Sequence, residues 1–125
     1  MIAADTSSLI AYFVGEPGGD VEVIGEAFER RQLALPPVVL TELLSDSQAA
    51  TTLAEHLVQL PLLAVEPDFW RRAGELRAKV LDRGYKSRVA DALIAQSCID
   101  HGVALITRDR DFRHYARIGG LKLVT

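Results

Sequence analysis

Apolar residues in this chain follow two patterns: runs of three or four, and longer stretches in which they return every three or four positions. The short runs predict strands buried on both faces, and the longer stretches predict helices with one buried side. Met1 to Ala4 is a short run that stops at Asp5, and Leu9, Ile10, Tyr12 and Phe13 then continue at helical spacing. Glu16–Pro17–Gly18–Gly19–Asp20 breaks the pattern as a loop. Val21, Ile24 and Phe28 share one face, which predicts a helix over 21–32. Leu33–Ala34–Leu35 then reads as a strand, halted by Pro36–Pro37. Pro37 suits the first position of the next helix, Val38 to Leu44.

Leu53, Leu57 and Leu60 predict an amphipathic helix over 49–60, with His56 on its surface, and Leu62 to Val65 a third strand. Pro67 to Arg83 reads as a long basic helix with Phe69, Ala73, Leu76 and Val80 inward and Gly84 at its end. Trp70, near its start, is expected to pack rather than to stack on a base. A basic loop, Tyr85–Lys86–Ser87–Arg88, leads into the most regular stretch of the chain. There Ser87 is the expected N-cap, Val89 to Ile99 is apolar on nearly every side, and His101–Gly102 is the stop. Val103 to Ile106 is a buried strand that delivers Thr107–Arg108–Asp109–Arg110–Asp111 at its carboxyl end. A short helix with Tyr115, Arg117 and Ile118 follows, then Gly119–Gly120 and a last strand, Leu121 to Val124. His114 in that helix is expected at the surface or against a phosphate. Strands alternating with helices predict one α/β domain over residues 1–125, three-layered, with a mostly parallel sheet.

Composition changes this picture little: 49% hydrophobic and 25% charged residues suit an ordinary globular domain. The single cysteine, Cys98, lies in the apolar helix and is expected as a small core residue in a reducing cytoplasm. No apolar run reaches the length of about 18 residues that a membrane span needs. MIAAD carries no basic leader, so a signal peptide is not expected. Charge changes more. Residues 1–66 hold ten acids against Arg30 and Arg31, a balance of −8, whereas residues 67–125 hold seven acids against twelve Lys and Arg, a balance of +5. A basic half beside acids suits a polyanion held near a metal, and equally suits solvated helix faces.

Ligands of open α/β sheets sit beyond the strand carboxyl ends. Asp5 and Asp109 both stand at such ends, Asp91 is a lone carboxylate in the apolar helix, and Glu42 is the only charge in its own helix. Asp5 reads either as a helix N-cap or as a ligand, and Glu42 either as a solvent-facing residue or as part of a site. With Asp111 nearby, these acids cannot all stay ionised without countercharge. All-oxygen donors select Mg²⁺ or Mn²⁺, and no Cys/His set has zinc spacing. A phosphate-binding glycine loop and a serine nucleophile elbow are also missing from the sequence. Metal-assisted chemistry on a phosphodiester remains.

In MIAADTSSLI, LTELL, ADALIA and LITRDRDF, in that order and at this length, the chain resembles the PIN-domain nucleases, specifically the VapC-type toxins of toxin–antitoxin pairs. The resemblance covers the whole chain. It implies strand order 3-2-1-4-5, dependence on Mg²⁺ or Mn²⁺, and endonucleolytic cleavage of RNA. It further implies a homodimer and a small VapB-like antitoxin that covers the cleft and alone contacts DNA. The family's acids fall on Asp5, Glu42, Asp91 and Asp109, with Asp111 as the alternative fourth. Asp5, Asp91 and Asp109 are expected to hold metal, and Glu42 to ligate or orient the nucleophile, a metal-activated water. The family's hydroxyl falls on Thr6, in reach of a bound water or a substrate phosphate. Arg88, Arg108 and Arg110 are candidates to hold the RNA backbone or to pair with Asp109 or Asp111. Two other readings use the same fold, a PIN nuclease of RNA processing and a catalytically silent module that binds RNA or a partner. A receiver-type phospho-acceptor fits poorly, because Thr107 is followed by arginine and acids.

Overall fold

The computed structural model describes residues 1–47, 51, 55–56 and 59–124. At its centre is β1 (Ile2–Ala4), with β2 (Leu33–Ala34) on one side and β3 (Ala104–Ile106) on the other, all parallel. Parallel neighbours require helical crossovers. These are α1 (Thr6–Phe13), α2 (Gly19–Glu29), α3 (Pro37–Ser45), α4 (Phe69–Asp82), α5 (Val89–His101) and α6 (Phe112–Gly119). The result is the α/β fold with a parallel sheet that the sequence predicts. Ala4 pairs with Ile106, so the chain leaves both strands at one sheet edge, where the Asp5 N–H donates to the Ile106 carbonyl (3.2 Å). That register brings the first acid beside the loop that carries Asp109.

Two expected outer strands form only single bridges, so three strands are found of the five. Leu62 bridges Leu35 and Leu123 bridges Leu105, on the sides that the order 3-2-1-4-5 requires. Leu35 donates to the Pro61 carbonyl (2.9 Å) and accepts from Leu63 N–H (2.8 Å). Pro61 has no N–H to extend that ladder, and Pro67 leads away into α4. The helix expected over 49–60 lies largely outside the described residues. Helix α2 starts two residues early and stops at Glu29, not Gln32. Asp20 and Glu22 occupy its first turn, where the helix dipole favours acids, and Arg31 adopts a left-handed φ of 56° that ends it.

Helix α5 ends as its sequence predicts, on Gly102 in the left-handed conformation (φ 62°). Its start differs. Arg88, not Ser87, holds the cap position, and Ser87 is buried with its hydroxyl against the Tyr115 hydroxyl. A buried hydroxyl needs a partner, and the phenol on α6 outcompetes the helix end. The core gathers Leu9, Leu43, Ile94, Ala95, Leu105, Phe112 and Tyr115, with Cys98 among them, and burial pushes that thiol up to about 12. Trp70 contradicts its expected packing: it is 67% exposed, edge-on to Phe69, and borders an apolar groove with Val38, Thr41, Val65 and Leu93.

Candidate active site

Asp5 caps α1: its Oδ1 accepts from Ser8 N–H (3.2 Å) and from the Ser7 hydroxyl (2.8 Å). Its Oδ2 accepts from the Thr107 hydroxyl (2.5 Å), whose oxygen in turn accepts from Asp109 N–H (3.0 Å). The two readings of Asp5 are therefore compatible, since one oxygen serves the helix and the other faces the β3 loop. Burial holds the Asp5 carboxyl above the ordinary carboxylate value, against the pull of those hydrogen bonds, and the charge of Asp109 adds to the rise. Glu42, half-buried on α3, accepts from the Thr6 hydroxyl (2.8 Å), tying α3 to the first turn of α1.

Asp91 sits in the first turn of α5 and is half-buried. Its carboxyl is pushed up to about 6, first by burial and then by Asp109, with Glu42 and Asp5 adding; Arg88 pulls it partly back. Asp5, Glu42 and Asp109 thus all lie within electrostatic reach of Asp91, and Asp109 within that of Asp5. None of the four makes an ion pair among the described residues. Asp111 stands further out: it is exposed at the start of α6, and its N–H donates to Asp109 Oδ1 (2.9 Å). As they stand, no three acids among the described residues are close enough to form a ready ion cage.

The arginines separate. Arg88 and Arg110 are exposed and without ion pairs among the described residues. Arg108 turns away from Asp109 and Asp111. Its guanidinium holds Asp20 through two bonds (Nε to Oδ2, 2.6 Å; Nη2 to Oδ1, 3.1 Å), Glu16 (2.8 Å) and the Pro17 carbonyl (3.0 Å). Asp20 also accepts from the Ser8 hydroxyl (2.8 Å), and the Arg108 bonds hold its carboxyl below the ordinary value. A Cβ on Gly18 would lie 2.5 Å from Asp20 Oδ1 and 2.7 Å from Arg108 Nη2, so the loop closes on that pair only with glycine there. Sequence reading missed Ser7, Ser8, Asp20 and Thr107. The hydroxyls beside Asp5 and before Arg108 were a visible signal, but the pairing of Asp20 with Arg108, 88 residues away, left no local trace.

A family model described as PIN domain matches residues 2–118. Among characterised proteins, the VapC ribonuclease Mb1587 of Mycobacterium bovis and the ribonuclease VapC11 of Mycobacterium tuberculosis are each 32% identical over 131 aligned positions, covering 98% of this chain and 96% of the relative. A VapBC2 complex from Rickettsia felis bound to a DNA fragment of its promoter shares the fold with a TM-score of 0.78 at 22% identity, covering 99% of this chain and 98% of that one. VapBC-5 of Mycobacterium tuberculosis gives 0.70 at 24% identity, covering 98% and 96%.

Proposed function

The chain belongs to the PIN-domain family, among the VapC-type ribonucleases, and on that premise we propose that it is the Mg²⁺- or Mn²⁺-dependent endoribonuclease toxin of a toxin–antitoxin pair. The observation that carries this reading is the cluster of Asp5, Glu42, Asp91 and Asp109, half-buried or buried, mutually repelling and without an ion-paired cation among the described residues. Hard oxygen donors, with Asp5 and Asp91 raised by burial and by the acids beside them, are a donor set a divalent cation stabilises. Asp5, Asp91 and Asp109 would hold it, with Glu42 at the margin. A bound cation would neutralise charge on the scissile phosphate and lower the pKa of an attacking water.

The chain's own groups do the positioning. Thr107 links Oδ2 of Asp5 to the backbone N–H of Asp109 through its one hydroxyl. Thr6 holds Glu42 toward the cluster, and its hydroxyl is in place to exchange that bond for a phosphate oxygen. Arg88, at the entry to α5, and Arg110, beside Asp109, carry exposed charge for the RNA backbone. Arg108 is a brace rather than a substrate contact, because its donors are committed to Asp20, Glu16 and Pro17.

This reading includes a homodimer, a small VapB-like antitoxin that covers the cleft, DNA contact only through that antitoxin, and action in the cytoplasm, where the RNA is. The VapBC relatives are complexes by name, one of them on promoter DNA, and exposed Trp70 and Val65 give this chain apolar surface for protein partners. No described helix is long and apolar enough to cross a membrane. A second reading, a silent module that binds RNA or a partner, draws on the lack of a ready ion cage among the described residues. Purified protein given total cellular RNA separates them. Discrete fragments with Mg²⁺ or Mn²⁺, and none with chelator, support the enzyme; RNA bound but intact supports the module.

A further inference from the structure

An aromatic pair joins the basic loop before α5 to α6. The rings of Tyr85 and His114 stack with centroids 3.9 Å apart and planes 12° off parallel. Tyr85 is 37% exposed at the head of the basic loop, and His114 is half-buried on α6. The loop is pinned behind them, since the Ser87 hydroxyl meets Tyr115 and the Ser87 carbonyl accepts from Arg77 Nε (2.8 Å). Tyr85 lies on the loop that leads into the Asp91 helix, and His114 lies on α6, where its N–H donates to the Asp111 carbonyl (3.1 Å). Tyr115, next to His114, feels the charges of Asp91 and Asp111.

Among the described residues, the cations of the loop and of the start of α6 are not held by acids, unlike several elsewhere in the molecule. Arg30, Arg71, Arg72 and Arg108 are each paired with acids. Arg83, Lys86, Arg88, Arg110 and Arg113, on the loop and the α6 approach, are exposed and without ion pairs among the described residues. An exposed ring, held flat at little entropic cost and flanked by uncommitted cations, is the chemistry that binds single-stranded nucleic acid. Trp70 lacks this setting. It borders an apolar groove, and its neighbour Arg71 is committed to Asp68 and Glu75.

We propose that the stacked Tyr85 and His114 form a platform for one unpaired base of the RNA, within a few nucleotides of the scissile phosphate, with Lys86, Arg88 and Arg110 holding the adjoining phosphates. The proposal rests on the RNA-cleaving reading above and deepens it. The platform selects unpaired RNA over duplex, because only a splayed base reaches the Tyr85 ring. Stacking of this kind is sequence-tolerant, so it contributes affinity and register more than base choice.

The test uses the full chain with Asp109→Asn to block cleavage, and a 12-nucleotide single-stranded RNA carrying 2-aminopurine at successive positions. The expected result is quenching at one position, lost in Tyr85→Ala and kept in Tyr85→Phe. The dissociation constant is expected to rise about 5- to 150-fold in Tyr85→Ala, the equivalent of about 1–3 kcal/mol for one stacked base. Lys86→Gln should flatten the salt dependence of binding by about 0.7 in log–log slope, one phosphate contact. Unchanged affinity and quenching in Tyr85→Ala overturns the platform while leaving the nuclease reading intact. If the parent binds no RNA and the unsubstituted chain cuts none of the total RNA, the nuclease reading falls, and the platform with it.

Discussion

Asp91→Asn should stabilise the metal-free protein at neutral pH, although it removes a residue from the centre of the site. The Asp91 carboxyl titrates at about 6 in the folded chain against the ordinary carboxylate value of 3.8, mainly through burial and secondarily through Asp109. Between those values the folded state binds the proton more tightly than the unfolded one, so this group's contribution to stability falls as pH rises from about 4 to about 6 and is flat outside that range. At about 1.36 kcal/mol per pH unit, the full penalty for the ionised carboxylate is about 3 kcal/mol. Half-burial and solvent screening reduce it to about 1–2 kcal/mol. Asparagine keeps the shape and carries no charge. Urea denaturation in chelator should therefore show Asp91→Asn more stable than wild type by about 1–2 kcal/mol at pH 7.5, with the gap closing by pH 4. Mg²⁺ at about a hundredfold excess over its dissociation constant should then stabilise wild type by about 2.7 kcal/mol and the variant much less. A variant less stable than wild type by the same margin at both pH values would refute the electrostatic account and make Asp91 an ordinary packing residue.

Other outcomes follow from the same geometry. Thr107→Val leaves Asp5 Oδ2 and Asp109 N–H without their shared partner, which should cost about 1–3 kcal/mol in thermal or urea unfolding and lower cleavage more than it lowers RNA binding. Arg108→Ala should slow cleavage without abolishing it and leave the salt dependence of RNA binding unchanged, because that guanidinium is committed to Asp20 and Glu16; a flattened slope would return Arg108 to the substrate contacts. Asp20 is held below its ordinary pKa by Arg108, so its contribution is full above about pH 4 and lost as pH falls through the lowered value; Asp20→Asn should blunt the acid limb of a stability–pH curve. Gly18→Ala should disturb the same brace, read as lower thermal stability that Arg108→Ala does not further reduce.

Much of this was legible in the sequence where the signal was local. The run from Val89 through the Gly102 stop and the β3 strand to Asp109 can be read from periodicity and one glycine, and the three central strands follow from short apolar runs. The strand expected at Leu62 to Val65 forms a single bridge, because its apolar character does not reveal that Pro61 cannot donate and that Pro67 redirects the chain. Ser87 looked like a cap because residue type and position suit one, and only the folded chain brings the Tyr115 hydroxyl to it. The four acids that the fold draws toward one another could be named from the sequence. Their supports could not, since Thr107–Asp5 and Arg108–Asp20 join residues 102 and 88 positions apart. Trp70 failed for a related reason: helical spacing predicts which side faces inward, but a residue at the first turn can lie beyond the edge of the core.

The central claim, that Asp5, Glu42, Asp91 and Asp109 form a metal-dependent hydrolytic site, is tested most directly by the end groups of cleaved RNA. Wild-type protein with Mn²⁺ should leave ends made by water, free of 2′,3′-cyclic phosphate, and Asp5→Asn or excess chelator should leave the RNA whole. Fragments ending in cyclic phosphate, formed equally in chelator or by the Asp5→Asn protein, would contradict the account.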